Sequence, residues 1–315
     1  MAAAFVFPGQ GSQAVGMGKA LAEAFPVARG VFDEVDAALG EKLTAIMWEG
    51  PAETLTLTEN AQPALMAVSV AAMRVLEAEA GVDLARDAKF VAGHSLGEYS
   101  ALAAAGAFSI ADAARLLRIR GRAMQQAVPV GTGAMAALLG MELDAAAAVA
   151  AEAAQGEVCE VANDNGGGQV VVSGNKAAVE RAVEIAKAKG ARRAMMLQVS
   201  APFHCALMKP AADAMAEALA KTEVKPPVVP VVANVLAQPI GDPKEIVRRL
   251  VEQVTATVRW RECAAFMAGA GVTRFYEIGA GKVLTGLLKR IADGASGVAI
   301  GTPDDVTAFK AARAG

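Results

Sequence analysis

The segment Lys89-Phe90-Val91-Ala92-Gly93-His94-Ser95-Leu96-Gly97 constrains this chain more than any other. A short apolar run enters a turn with glycine on both sides of a serine, and a helical pattern from Glu98 to Ala105 leaves it. A serine on a strained turn between strand and helix needs glycine neighbours, because backbone must pass close on both sides. The helix that follows aims unpaired N–H groups and a partial positive charge back at the serine. Such a turn belongs to an α/β fold, and it makes Ser95 a candidate nucleophile with the Leu96 N–H as the first oxyanion donor.

The rest of the chain supplies the layers that this turn requires. Residues 4–7 read as a buried strand that delivers the chain into Pro8-Gly9-Gln10-Gly11. Helical spacing follows between Lys19 and Leu39, then a long apolar helix over 63–80 with Pro63 at its permissive first turn, then a helix over 110–127. From 134 to 199 the pattern is βαββαβ, the order of a ferredoxin-like unit. Strands over 228–233, 273–278 and 297–300 then alternate with helices over 244–254, 261–268 and 282–292. The expected fold is a parallel α/β core of residues 1–127 and 200–315, interrupted by a small ferredoxin-like subdomain over 128–199. Hydrophobic residues at 54% with only 4% aromatics agree with alanine-rich helices packed through small side chains.

Several classes are excluded. Thirty basic and 33 acidic residues are mixed along the chain for a net charge of −3, which speaks against a nucleic-acid partner. Three scattered cysteines give neither a disulfide framework nor a metal knuckle and fit a reducing cytoplasm. The N-terminal residues lack the pattern of a signal peptide, and no stretch reaches the ~20 apolar residues of a membrane helix, so a soluble protein without membrane association is expected. A monomer is compatible with everything in the sequence. Gly9-Gln10-Gly11-Ser12-Gln13-Ala14 imitates a dinucleotide loop, but Asp33 falls inside a helical pattern instead of ending a second strand. Gly279-Ala280-Gly281-Lys282 imitates a phosphate loop, but Val283 stands where magnesium needs a hydroxyl. Neither cofactor nor metal is expected.

A serine hydroxyl needs a base, and the chain has two histidines. His94 adjoins Ser95, and adjacent residues of extended chain point to opposite faces. His204 is the better candidate, in the Ser200-Ala201-Pro202-Phe203-His204 loop that leaves the small unit. No Asp or Glu stands out to orient it, which predicts a dyad with a backbone carbonyl on Nδ1. The first glycine-rich loop sits beside the elbow loop in a doubly wound sheet, so the Gln10 N–H is the second candidate oxyanion donor.

Phe7-Pro8-Gly9-Gln10-Gly11-Ser12-Gln13, Gly93-His94-Ser95-Leu96-Gly97-Glu98-Tyr99, Arg120-Gly121-Arg122-Ala123-Met124 and Ala201-Pro202-Phe203-His204 together resemble the malonyl-CoA:acyl carrier protein transacylases. Asn163 with 165–169, Val258-Arg259-Trp260 and 279–284 continue the resemblance in order over nearly the whole chain. It implies a hydrolase-like core and a ping-pong transfer of malonyl from coenzyme A to the phosphopantetheine thiol of acyl carrier protein, supplying fatty acid synthesis. By motif position Ser95 is the nucleophile, His204 the base and then acid, and the N–H groups of Gln10 and Leu96 the oxyanion hole. The resemblance also puts the Arg259 carbonyl on His204 Nδ1 and makes Arg120 the fork for the free carboxylate of malonyl. It further implies that Phe203 restricts the acyl pocket against an α-methyl branch. The alternatives are a polyketide-pathway acyltransferase, a serine thioesterase or esterase, and a silent carrier-binding module.

Overall fold

A computed structural model describes residues 2–314; Met1 and Gly315, the outermost residues of the expected large unit, lie outside them. In chain order the strands are β1 (Ala2–Phe7), β2 (Phe90–Gly93), β3 (Gly133–Leu139), β4 (Cys159–Asp164), β5 (Gln169–Asn175), β6 (Arg193–Met196), β7 (Val231–Ala233), β8 (Gln238–Ile240), β9 (Val272–Ile278) and β10 (Ser296–Ile300). They form two sheets, one ordered β10-β9-β1-β2-β7-β8 and one ordered β4-β5-β3-β6.

The larger sheet is parallel from β10 to β7, and only β8, a strand the alternation of apolar residues did not announce, returns antiparallel along β7. β1 and β2 lie in its middle and are almost wholly buried, as strands covered by helices on both faces must be. The smaller sheet is antiparallel. Its order is the ferredoxin-like one, and the helices Leu143–Ala154 and Lys176–Ala188 bury Val149, Val179 and Val183 against Leu138 and Val172 in a core of their own. The fold is thus the α/β core with a ferredoxin-like unit that the pattern implied.

Two expectations about helices need correction. The helical spacing between Lys19 and Leu39 is two helices, Lys19–Ala24 and Pro26–Leu39, because Pro26 opens the second at its first turn and leaves Phe25 extended. The long apolar helix starts a turn early and runs Thr58–Ala80, which puts Pro63 in its interior. Proline there has no N–H for the carbonyl four residues back, that of Glu59. Arg118 supplies the missing donor, its Nη1 lying 2.8 Å from Glu59 O.

Arg118 and Arg120 belong to the helix Ile110–Gln126, which crosses the start of Thr58–Ala80 closely. A Cβ on Gly121 would stand 2.5 Å from Glu59 Cα, so only glycine permits this approach. The helix Lys209–Ala220 and the C-terminal helix Pro303–Ala314 complete the covering layers without having been read from the sequence. Among the described residues no helix is long and apolar enough to cross a membrane.

Candidate active site

Ser95 sits between β2 and the helix Leu96–Ala104 with φ 53° and ψ −111°, a conformation that L residues adopt only when their surroundings impose it. A Cβ on Gly93 would fall 1.9 Å from the Gly97 carbonyl, and one on Gly97 would fall 2.3 Å from Phe7 O. Both glycines are therefore steric requirements of the elbow. The turn is held from outside: Ser95 N–H donates to Asn234 Oδ1 at 2.8 Å, and Asn234 Nδ2 donates to Gly93 O at 2.7 Å. Asn234 directly follows β7.

His204 Nε2 lies 2.8 Å from Ser95 Oγ. On the other side of the ring, His204 Nδ1 lies 2.8 Å from a main-chain carbonyl, but it is that of Gln253. The Arg259 carbonyl expected there is occupied elsewhere, accepting the Cys263 N–H at 2.9 Å as the cap of the helix Trp260–Gly269. Gln253 ends the helix Pro243–Gln253, and carbonyls of a final helical turn have no partner in their own helix, so this one is free for the imidazole. Nδ1–H donating to a carbonyl leaves Nε2 as the acceptor of the serine proton. Burial and the nearby Arg120 push His204 down to about 3, so the ring is neutral at ordinary pH.

Arg120 is 1% exposed. Its Nη2 donates to Ser95 Oγ at 3.0 Å and to Gln253 Oε1 at 2.8 Å, and its Nη1 donates to Gln62 Oε1 at 2.8 Å. None of these partners carries a charge. A buried guanidinium held only by neutral acceptors beside a serine suits an acyl group that brings its own carboxylate.

Gln10 and Leu96 line the same cavity as Ser95, Arg120, Phe203 and His204, a space of about 300 Å³. Leu96 N–H is the first of its helix and has no acceptor within it. The cavity lies between the two sheets, since Met135, Asn163 and Leu197 of the ferredoxin-like unit form its far wall. A second space of about 230 Å³ shares Gln10, His94, Asn163 and Leu197 with it and leads on to Val283 and Leu287. His94 meets Asn165 Oδ1 through Nε2 at 2.9 Å, which ties the elbow to the β4–β5 turn.

The sequence reading missed Gln62, Asn234 and Gln253. One signal was available for Gln253: with Ile246 and Leu250 it completes the buried stripe of an otherwise charged helix, and an amide on an apolar stripe needs a partner inside. Asn234 and Gln62 carried no comparable signal.

Fold and site together define an α/β acyltransferase. A family model described as an acyl transferase domain matches residues 4–302, and the chain belongs to that family and, within it, to the malonyl CoA-acyl carrier protein transacylases. The curated transacylase of that name from Escherichia coli K12 is 49% identical over 305 residues, 97% of each chain. Among solved structures, an acyl-carrier-protein S-malonyltransferase from Bartonella henselae is 56% identical with a TM-score of 0.97 and full coverage of both chains. A malonyl-transacylase solved in complex with its type II PKS acyl-carrier protein is 44% identical with a TM-score of 0.95, covering 99% of this chain and all of that one.

Proposed function

We propose that this protein transfers the malonyl group from malonyl-CoA to the phosphopantetheine thiol of acyl carrier protein through an ester on Ser95, supplying fatty acid synthesis. The observation that carries the reading is the 3.0 Å contact between Arg120 Nη2 and Ser95 Oγ inside a buried pocket. It puts a carboxylate receptor within one acyl chain of the nucleophile.

The steps follow from the donors and acceptors in place. Ser95 Oγ attacks the thioester carbonyl while His204 Nε2 takes its proton, and the Gln253 carbonyl holds the imidazolium by Nδ1–H. Negative charge on the carbonyl oxygen falls to the N–H groups of Gln10 and Leu96. Collapse expels the coenzyme A thiolate, which leaves with the proton from His204. Acylation also releases the Arg120 N–H that Ser95 Oγ had held, and that N–H turns to the malonyl carboxylate. The carrier thiol then repeats the sequence in reverse, with His204 as its base. The second space beyond His94 is where this reading puts the pantetheine arm. Phe203, 8% exposed at the cavity wall, crowds an α-methyl branch, an effect worth ~1–3 kcal/mol. The reading places the enzyme in the cytoplasm and calls on neither cofactor nor metal.

Intact mass after incubation with malonyl-CoA tests this. Wild type is expected to gain one malonyl group that Ser95→Ala does not, and an adduct that survives Ser95→Ala overturns the assignment. Discharge to carrier protein should outrun hydrolysis; the reverse result makes the protein a thioesterase. A second reading, a polyketide carrier as acceptor, is favoured by the 44% identical transacylase in complex with such a carrier. Rates on the two kinds of carrier separate them.

A further inference from the structure

One buried carboxylate belongs neither to the dyad nor to the oxyanion donors. Glu98, three residues past the serine, is 1% exposed. Its Oε2 accepts the Asn234 N–H at 3.1 Å and a Gln253 Nε2–H at 2.9 Å. These two partners are the residues that reach the reacting groups. Asn234 holds Ser95 N, and Gln253 Nε2 also donates to Ser95 O at 3.0 Å and to Asn234 Oδ1 at 3.2 Å while its Oε1 accepts from Arg120.

A glutamine amide accepts at one end and donates at the other, and its direction is set only by what faces it. Arg120 solely donates, so it demands the oxygen. Glu98 Oε2 also accepts the Asn234 N–H, so it presents an acceptor to the amide and faces the nitrogen, as Ser95 O does. Between them the amide has one satisfied orientation. Without Glu98 the nitrogen loses the shortest of its three acceptors and the Asn234 N–H loses its own, so the amide shifts from its place and holds the guanidinium less firmly on Ser95 Oγ.

We infer that Glu98 is a positioning residue for acyl-group selection: its carboxylate fixes the Gln253 amide so that Arg120 points at Ser95 and at the free carboxylate of the incoming acyl group. The inference rests on the malonyl-transfer reading. It differs from a purely structural role, in which loss of Glu98 slows every acyl group alike through a loosened Asn234.

The test compares Ser95 acylation by malonyl-CoA and by acetyl-CoA, which lacks the carboxylate, as the ratio of kcat/KM values. Glu98→Met, which removes the acceptor at similar volume, is expected to lower the malonyl-to-acetyl ratio about tenfold or more, the scale of one hydrogen bond to a charged group. Glu98→Gln keeps an acceptor oxygen and should hold the ratio within about threefold of wild type. In an Arg120→Ala background Glu98→Met should change the ratio no further. An unchanged ratio in folded Glu98→Met, or equal losses in the Met and Gln variants, overturns the inference. Should Glu98→Met not fold, Gln253→Met carries the test, with the same loss expected and a preserved ratio overturning it. A wild type that forms no malonyl-Ser95 overturns the functional reading and this inference together, whereas the outcomes above overturn the inference alone.

Discussion

His204 can take a proton from Ser95 only if its imidazole is neutral beforehand, and burial ensures that. The same burial makes it a source of acid sensitivity. The folded protein keeps His204 unprotonated down to about 3, whereas an unfolded chain protonates it near the ordinary 6.5. Between these values the unfolded state binds the extra proton, so the His204 contribution to stability is full above 6.5 and is lost as pH falls toward 3. Glu98 acts with the opposite sign, because burial raises its carboxyl to about 7 from an ordinary 4.5, and its contribution is full below 4.5 and lost as pH rises through 7. Relative to wild type, His204→Gln should therefore gain stability on acidification from pH 6.5 to 3, and Glu98→Gln should gain it on raising pH from 4.5 to 7. Urea midpoints across pH measure both. At Arg120 the expected effect is on selectivity: Arg120→Ala should cost malonyl transfer about ten- to a hundredfold, as loss of charged hydrogen bonds does, with acetyl transfer affected far less. Equal losses on both acyl-CoAs would show that the guanidinium serves the elbow and not the substrate.

At the scale of elements, the crossing of Thr58–Ala80 with Ile110–Gln126 sets where Arg120 enters the pocket. Pro63 leaves the Glu59 carbonyl without its helical donor, and Arg118, 5% exposed, fills the vacancy from the facing helix. Arg118→Met should lower stability by about 1–3 kcal/mol, the penalty of a buried polar group left unpaired. In a Pro63→Ala background the cost should shrink, since the alanine introduced there brings an N–H for the same carbonyl. Thermal denaturation of the four proteins of that cycle measures the coupling, and additive effects would refute it. The length and burial of this helix were legible in its apolar run. Its first turn was not, because a proline in a sequence marks a helix start unless a second helix stands ready to replace the lost bond.

At the scale of the whole molecule, the cavity exists only where the two sheets meet. β4 is joined to the larger unit by backbone bonds between Asp164 N and Val258 O at 3.0 Å and between Val258 N and Ala162 O at 2.9 Å. Arg261 Nε reinforces the junction on buried Asp164 Oδ2 at 2.8 Å. Arg261→Met should destabilise by about 1–2 kcal/mol, softened by the partial exposure of the arginine, and should raise KM more than it lowers kcat, because the wall that moves carries Asn163 and not the dyad. A fall in kcat with unchanged KM would place the effect at Ser95 and His204 instead.

The strand–turn–helix elbow at Ser95, the α/β alternation and the βαββαβ order of the small unit were all written in the order of residues along the chain. These depend on interactions among near neighbours: apolar periodicity, glycine at a turn, the reach of one helix terminus. Composition left two candidate bases, and the position of His94 next to Ser95 made His204 the better one. The long-range partners were settled by packing instead. The carbonyl on His204 Nδ1 proved to be that of Gln253, not Arg259, because only the packing of Pro243–Gln253 beside the elbow shows which free carbonyl faces the ring. The same holds for Asn234, Gln62 and Glu98. A buried polar side chain is chosen by what lies within hydrogen-bonding distance of it in space, and a motif says nothing about neighbours that arrive from 49 to 155 residues away.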